Sequence, residues 1–321
     1  MQRRTREHTI AVIGHLVRDQ IFSAQGKITD SLGGIAYSLA ALAATPMRGR
    51  IIPFCHLGRD VESIFMDLFG KDSRFDFSGI RITADPGVVN KLVYSADGTR
   101  EEWNSRIARP IRLDGIDRRA DAVLLNFISG RDVRLPDLRN FRARYRGLIY
   151  IDYHSLSLGF GKDRRRYYRL HPWYPNYLSA ANIVQMNLAE LESINSMPLF
   201  GVRGVYRACA KLHKAGARVL IITAGEQGAY LSEAGKRRFY YLPAVKIDRP
   251  VDTTGCGDIL GAVFLQEYLR TKDLVESLEV SNPWAAAAAT FSGMSGFGRL
   301  REIVRSLGRP PRVIAIKTPL E

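Results

Sequence analysis

The chain has 321 residues, 46% of them hydrophobic and 25% charged. That composition excludes a disordered or collagen-like chain and fits one large α/β domain or two average ones. Lys and Arg outnumber Asp and Glu by 47 to 32, a formal net charge of +15, which favours anionic partners such as nucleotides, nucleic acids or anionic lipids.

The basic residues are spread, with denser patches at Arg3–Arg6, Arg142–Arg146 and Lys162–Arg169. No nucleic-acid motif accompanies them, so a solvated basic surface is expected, with no specific nucleic-acid partner. Cys55, Cys209 and Cys256 are scattered, lack zinc spacing and suit a reducing compartment. The opening "MQRRTREHTIAVIGHLVRD" has the charge order of a signal peptide, but its apolar run is short, holds His15 and stops at Arg18-Asp19. A first strand is expected there instead. No run approaches a membrane span, and a cytoplasmic location is expected.

In chain order, the first expected strand is Ile10–Ile13. "LVRDQIFSAQGKITDSLGG" reads as strand, turn, strand, with Gly26 at the bend, and Gly34–Ala44 and Asp60–Leu68 read as helices. "VVNKLVYSADGTREEWNSRI", Val88–Ile107, holds two β-like runs around Asp97-Gly98, a pair suited to a tight hairpin turn. Apolar strands follow at Ala122–Phe127, Leu148–Ile151, Ile183–Met186 and Arg218–Thr223, with helices at Leu188–Ser193 and Val202–Ala215 between them. Alternating strands and helices imply a parallel sheet covered on both faces, with ligands at the carboxyl ends of its strands. The two strand pairs interrupt that rhythm. They predict a small antiparallel flap, a candidate lid, with ordinary edge hairpins as the alternative. "NPWAAAAATFSG" reads as a tightly packed helix.

The stretch "VDTTGCGDILGAVF", Val251–Phe264, passes abruptly from polar residues and glycines to an apolar helix over Ile259–Leu269. Gly255 and Gly257 open backbone angles closed to other residues and clear a path for a ligand. A turn at a helix N-terminus aims free N–H groups and the positive dipole end at one spot, where an anion or developing charge is stabilised. Asp258, in that first turn, can accept a proton from a hydroxyl attacking phosphorus. The same pattern also suits a plain helix cap on a tight turn.

"DTTGCGD" at Asp252–Asp258 resembles the C-terminal signature of the ribokinase-like, or PfkB-type, carbohydrate kinases. Other stretches are similar to that family in the same order: "IGHLVRD" at Ile13–Asp19, "GGIAYSLAALA" at Gly33–Ala43, "CHLGRDVESIFM" from Cys55, "NLAE" at Asn187–Glu190, "TAGEQGAYL" from Thr223, and "AAAATFSGMSG" near the end. The resemblance implies a three-layer α/β/α domain spanning 1–321, with a central, mainly parallel sheet and a β-strand lid formed by about 16–32 and 88–107. It implies an ATP- and Mg2+-dependent transfer of the γ-phosphoryl group to a hydroxyl of a sugar, sugar derivative, cyclitol or nucleoside. By motif, Asp258 is the base, and Gly255, Cys256 and Gly257 supply N–H groups to the transferring phosphoryl. Asp19, Gly33 and Gly34 meet the acceptor. Asn187, Thr223, Gly225 and Gly228 lie along the nucleotide, and Glu190 meets magnesium mainly through water. In some members a monovalent cation sits beside this turn, at positions matching Asp252 and Thr254, so K+ activation is a further expectation. Lids of this family pair between subunits in some cases, which makes a homodimer through the lid another.

Several residues depart from the family pattern. Cys256 stands where alanine is usual, either as a small inert side chain or as a thiol made reactive by the helix N-terminus. Tyr37-Ser38 occupy the region where an asparagine is common. "IDYHS" at Ile151–Ser155 shares only Asp152 with the family's D-x-N/R region. His15 is read as an acceptor contact or a satisfied histidine, Arg100 as a solvated hairpin residue or a reader of a phosphorylated substrate, and Trp103 and Phe22 as substrate cover or as glue for the flap. Two other functions compete with the kinase. One is a catalytically silent ligand-binding regulator on the same fold; the other is a nucleic-acid binder using the Lys162–Arg169 patch.

Overall fold

The computed structural model describes residues 7–46, 48–84, 86–97, 99–195, 198–236 and 238–317. The Arg3–Arg6 patch and Gly98 of the expected hairpin turn lie outside the described residues.

The order of elements follows the apolar runs. β1 (His8–Ile13) leads into β2 (Leu16–Phe22) and β3 (Ile28–Gly34), then α1 (Ile35–Ala44), β4 (Gly49–Gly58), α2 (Glu62–Phe69) and β5 (Ile80–Thr83). β6 (Val88–Tyr94) and β7 (Arg100–Asn104) precede β8 (Ala122–Asn126), α3 (Leu135–Arg144) and β9 (Leu148–Asp152). Next come β10 (Leu158–Phe160), β11 (Arg166–Tyr168), α4 (Tyr174–Ala180), β12 (Ile183–Asn187), α5 (Leu188–Asn195), α6 (Gly201–Lys214) and β13 (Val219–Thr223). The chain ends with β14 (Ala229–Glu233), β15 (Arg238–Leu242), α7 (Cys256–Thr271), α8 (Leu274–Ala288), α9 (Leu300–Ser306) and β16 (Ile314–Lys317).

Among the described residues the main sheet has ten strands in the order β16-β15-β14-β13-β12-β9-β8-β1-β4-β5. Every pairing from β13 to β5 is parallel, and β14, β15 and β16 add antiparallel neighbours at one edge. Strands buried on both faces need apolar side chains at successive positions. In β1, Ile10 and Val12 enter the core that also holds residues of α1, α7 and α8, while Ala11 and Ile13 enter the core shared with α3 to α6. β8 divides in the same way, Leu124 to one layer and Leu125 to the other. The result is the expected three-layer α/β/α arrangement. α6 shows the helical version of this logic: Val205, Ala208, Cys209 and Leu212 recur at three- and four-residue spacing and are its buried residues.

A separate four-stranded sheet, β3-β2-β6-β7, comes from the two segments read as a flap. β2 and β6 run parallel, with antiparallel partners outside them, and Gly26 turns between β2 and β3 at a φ of 80°. The parallel junction was not legible in either segment alone. The β10–β11 hairpin, inside the Lys162–Arg169 patch, also went unpredicted. It leans on β7 through a bridge between Trp103 and Arg165 and an ion pair between Arg165 and Glu101. Part of the basic patch therefore braces the lid sheet.

Candidate active site

Polar residues end the apolar strands at the carboxyl edge of the parallel sheet. Asn126 closes β8, Asp152 closes β9, Asn187 closes β12 and Thr223 closes β13, and register sets Asn126 beside Asp152 and Asn187 beside Thr223. The N-terminus of α7 sits over this row.

The turn before α7 is built from its own side chains. The Asp252 carboxylate accepts the Thr254 amide at 2.8 Å through one oxygen and the Ser292 hydroxyl at 2.8 Å through the other. Gly255 caps α7 with a left-handed φ of 80°, and a Cβ there would stand 2.5 Å from the Tyr37 ring. Gly257 differs: a Cβ would meet only the Gln185 amide nitrogen, at 3.4 Å. The Cys256 amide turns back onto the Thr253 carbonyl at 3.2 Å. The amides of Gly257 and Asp258, in the first turn, have no partner within the helix. Burial, reinforced by Asp252 and Asp258, pushes the Cys256 thiol up to about 12. That outweighs the helix N-terminus and leaves an inert thiol.

Asp258 projects from the first turn of α7 and accepts the Asn126 side-chain amide at 2.6 Å. Burial raises its carboxyl to about 6, against the opposing pull of His154, Asn126 and Arg100. Asp152 lies in the same pocket, near the Gln185 amide at 3.5 Å. Burial first, then the charges of Asp258 and Glu190, hold Asp152 well above the usual carboxylate range. Two neighbouring carboxyls cannot both ionise cheaply, so Asp152 keeps its proton and Asp258 carries the negative charge.

Asn187 and Glu190 form a closed ring at the start of α5. The Asn187 amide and side chain donate to Glu190 at 2.9 and 2.7 Å, and the Glu190 amide donates to the Asn187 side-chain oxygen at 2.9 Å. His154 Nδ1 stands 3.0 Å from the Glu190 carboxylate. Burial opposes a charge on His154, but the bond and the charge of Glu190 outweigh it and lift the imidazole to about 9. A cationic His154 therefore pairs with Glu190, and its charge also favours the ionised form of Asp258. The Glu190 oxygens are engaged by these donors, and no group of three or more His, Cys, Asp or Glu forms a metal cage among the described residues. Contact with a hydrated divalent cation through water suits this arrangement, since magnesium keeps several of its waters.

Across the cleft, Asp19 is 2% exposed on β2 and accepts the Tyr37 hydroxyl at 3.2 Å, while its Oδ1 has no partner. Burial, then the charge of Glu102, raises its carboxyl to about 7. Gly33 is required here, because a Cβ would land 1.8 Å from an Asp19 oxygen. Gly34 has φ 62° and presses on the His15 carbonyl, 2.2 Å from where a Cβ would be. Tyr37 thus joins the two halves, with its ring under Gly255 and its hydroxyl on Asp19. His15 is a satisfied buried histidine, paired with Asp132 at 2.9 Å and with the Arg109 carbonyl at 3.0 Å. On the far side, Gly225 faces open space at φ 57°, whereas a Cβ on Gly228 would meet the Leu242 carbonyl at 2.0 Å. Strand register sets Thr223 beside Asn187, and Gly225 and Gly228 lie in the turn that follows Thr223.

Sequence reasoning missed Asn126, Gln185, His154 and Tyr94. Asn126 carried a signal, a polar residue ending a doubly buried strand. Tyr94 carried none: its hydroxyl meets Thr254 Oγ1 at 2.7 Å only because the lid sheet lies over the turn.

A sequence profile for the pfkB family carbohydrate kinases matches residues 166–297. A cytidine kinase of Thermococcus kodakarensis is 23% identical over 317 residues, 93% of this chain and 97% of that protein. The chain is similar to the ribokinase-like, PfkB-type kinases along nearly its whole length. Its activity class is accordingly that of a phosphotransferase with an alcohol group as acceptor. A ribokinase of Arabidopsis thaliana is 31% identical to this kinase over 115 residues, 35% of the chain and 28% of that protein. The structure of Arabidopsis thaliana ribokinase with ribose and ATP superposes at a TM-score of 0.73 and 19% identity, covering 94% of this kinase and 99% of that chain. A pyrophosphate-dependent kinase of the ribokinase family superposes at 0.74 and 18% identity, covering 92% and 99%. No helix among the described residues of the kinase is long and apolar enough to cross a membrane.

Proposed function

We propose that this kinase moves the γ-phosphoryl group of ATP to a hydroxyl of a sugar, sugar derivative, cyclitol or nucleoside, with Asp258 as the base. The observation that carries this is the pairing of Asn126 with Asp258 at the N-terminus of α7, opposite the unpartnered oxygen of Asp19. An acceptor hydroxyl donates to Asp19 Oδ1, which orients it. Asn126 aims the Asp258 carboxylate, which takes the proton of the attacking hydroxyl. The Gly257 and Asp258 amides and the dipole of α7 stabilise charge on the transferring phosphoryl. Glu190, steadied by Asn187 and His154, would hold Mg2+ through water, and the metal would supply charge neutralisation on the donor phosphates. Thr223 and Gly225 border the donor. Asp252 and Thr254 brace the turn and stand where a K+ ion would bind.

The test is phosphate release or transfer from Mg-ATP, and separately from pyrophosphate, against panels of sugars, cyclitols and nucleosides, with and without K+. Acceptor-dependent ADP formation supports the proposal. Transfer from pyrophosphate alone replaces the donor, and tight acceptor binding without turnover from either donor points to a silent regulator.

Tyr37→Phe probes the acceptor side. Losing the hydroxyl removes a bond that favours the ionised Asp19, so the carboxyl rises further above about 7. The ionised form is the better acceptor for substrate hydroxyls, so acceptor KM should fall as pH rises through that range. The variant should raise KM at pH 7 by about five- to tenfold, the equivalent of one hydrogen bond, and recover at higher pH. KM profiles over pH, with kcat little changed, are the check.

A further inference from the structure

We infer, building on that kinase reading, that Arg100 is a catalytic residue carried by the lid, its guanidinium contacting the transferring phosphoryl group. Side chains alternate along a strand, and cross-strand partners share a face. Register pairs Asp19 with Asn90, Asn90 with Asn104, Leu92 with Glu102 and Tyr94 with Arg100. One face of the lid therefore runs from Asp19 at its base to Tyr94 and Arg100 at its tip. The tip touches the catalytic turn through Tyr94 and Thr254. Arg100 stands opposite Tyr94 across the β6–β7 pair, and its guanidinium lies 3.6 Å from Glu102.

Glu102 has a second cation. Arg166 lies 3.5 Å away and is 1% exposed, and it also bonds the Asn104 side chain and the carbonyls of Ile128 and Ser129. Two guanidinium groups thus share one carboxylate. Arg166 is locked into the base of the lid; Arg100 is 31% exposed and has room to take another anion. Its register partner Tyr94 is the residue that touches Thr254, so Arg100 sits at the end of the lid nearest the α7 turn. An anionic acceptor would meet Asp19 and Glu102. A phosphoryl group on the α7 turn meets Arg100, which is the cross-strand neighbour of the Tyr94 that touches that turn.

In the step, the acceptor oxygen bonds to the terminal phosphorus as the bond from that phosphorus to the ADP oxygen breaks. The hydroxyl proton passes to Asp258. Arg100 stays protonated and exchanges no bond, and its charge is matched to the phosphoryl oxygens only while transfer is under way.

Arg100→Ala and Arg100→Lys, made in the full chain and compared with wild type by melting temperature, test this. Arg100→Ala should lower kcat by about 100-fold or more with acceptor KM and ATP affinity nearly unchanged. Arg100→Lys should keep part of the activity, and added guanidinium ion should restore part of it to Arg100→Ala. Binding of ADP–aluminium fluoride, a mimic of the phosphoryl in flight, should weaken in step with kcat. Unchanged kcat in a folded Arg100→Ala overturns the inference and leaves the kinase reading intact. A loss confined to acceptor KM overturns it in favour of acceptor recognition. A wild-type protein inactive with both donors and every acceptor overturns both.

Discussion

Asp258→Asn should reduce phosphoryl transfer by about a thousandfold or more, the range expected when a positioned base is removed, while ATP binding stays measurable. The substitution keeps the shape of the side chain and an oxygen to accept the Asn126 amide. What it removes is the site for the acceptor proton. In the wild type, kcat/KM should rise as pH passes through about 6, where the Asp258 carboxyl ionises, and that rise should vanish in the variant. Stability should move the other way. A carboxyl raised by burial binds its proton more tightly in the folded state, so its ionisation destabilises the fold. Any stability linked to this group is fully present at low pH and is lost as pH rises through about 6. Asp258→Asn should therefore melt at or above the wild-type temperature at pH 8. Thermal melts at pH 5 and 8, beside initial rates, check both statements. An inactive variant that melts lower at pH 8 would mean the aspartate serves mainly to hold the turn.

Gly255→Ala should unfold at a temperature lower by several degrees and lose nearly all activity, whereas Gly257→Ala should keep or gain stability. At Gly255 the left-handed backbone costs a side-chain residue about 1–2 kcal/mol, and a Cβ 2.5 Å from the Tyr37 ring forces that ring aside. Overpacking of this kind adds about 1–3 kcal/mol. Moving Tyr37 also frees the Asp19 carboxyl, so both halves of the site are disturbed together. Gly257 sits in the helix, where alanine is favoured by about 1 kcal/mol, and its nearest neighbour would be 3.4 Å from the new carbon. Any activity lost in Gly257→Ala would then report a methyl group in the path of the phosphoryl. Differential scanning calorimetry and turnover on the two variants separate the roles. Equal melting temperatures would show that Gly255 is not conformationally required.

Much of this protein was legible in local sequence. The doubly apolar strands, the helices between them and the two strand pairs of the flap follow from periodicity, because the side-chain period is set by the backbone itself. Asp258 and Gly255 were legible because a tight turn before an apolar helix allows few residue types. Asp19, Asn187 and Glu190 came from resemblance, since nothing in their immediate neighbours marks them. The tertiary structure decided what depends on long-range contact. It set β2 parallel to β6, placed Asn126 on Asp258 across 132 residues of chain, and folded Tyr37 between Asp19 and Gly255. It also decided which charges count. Local reading made Cys256 a candidate thiolate and Arg100 a candidate solvated cation; burial with two aspartates kept the thiol protonated, and the lid set the arginine beside Glu102. A sequence determines which groups are available and which backbone periods they favour, but charge and proton affinity depend on distance and solvent exposure, which only the folded chain defines.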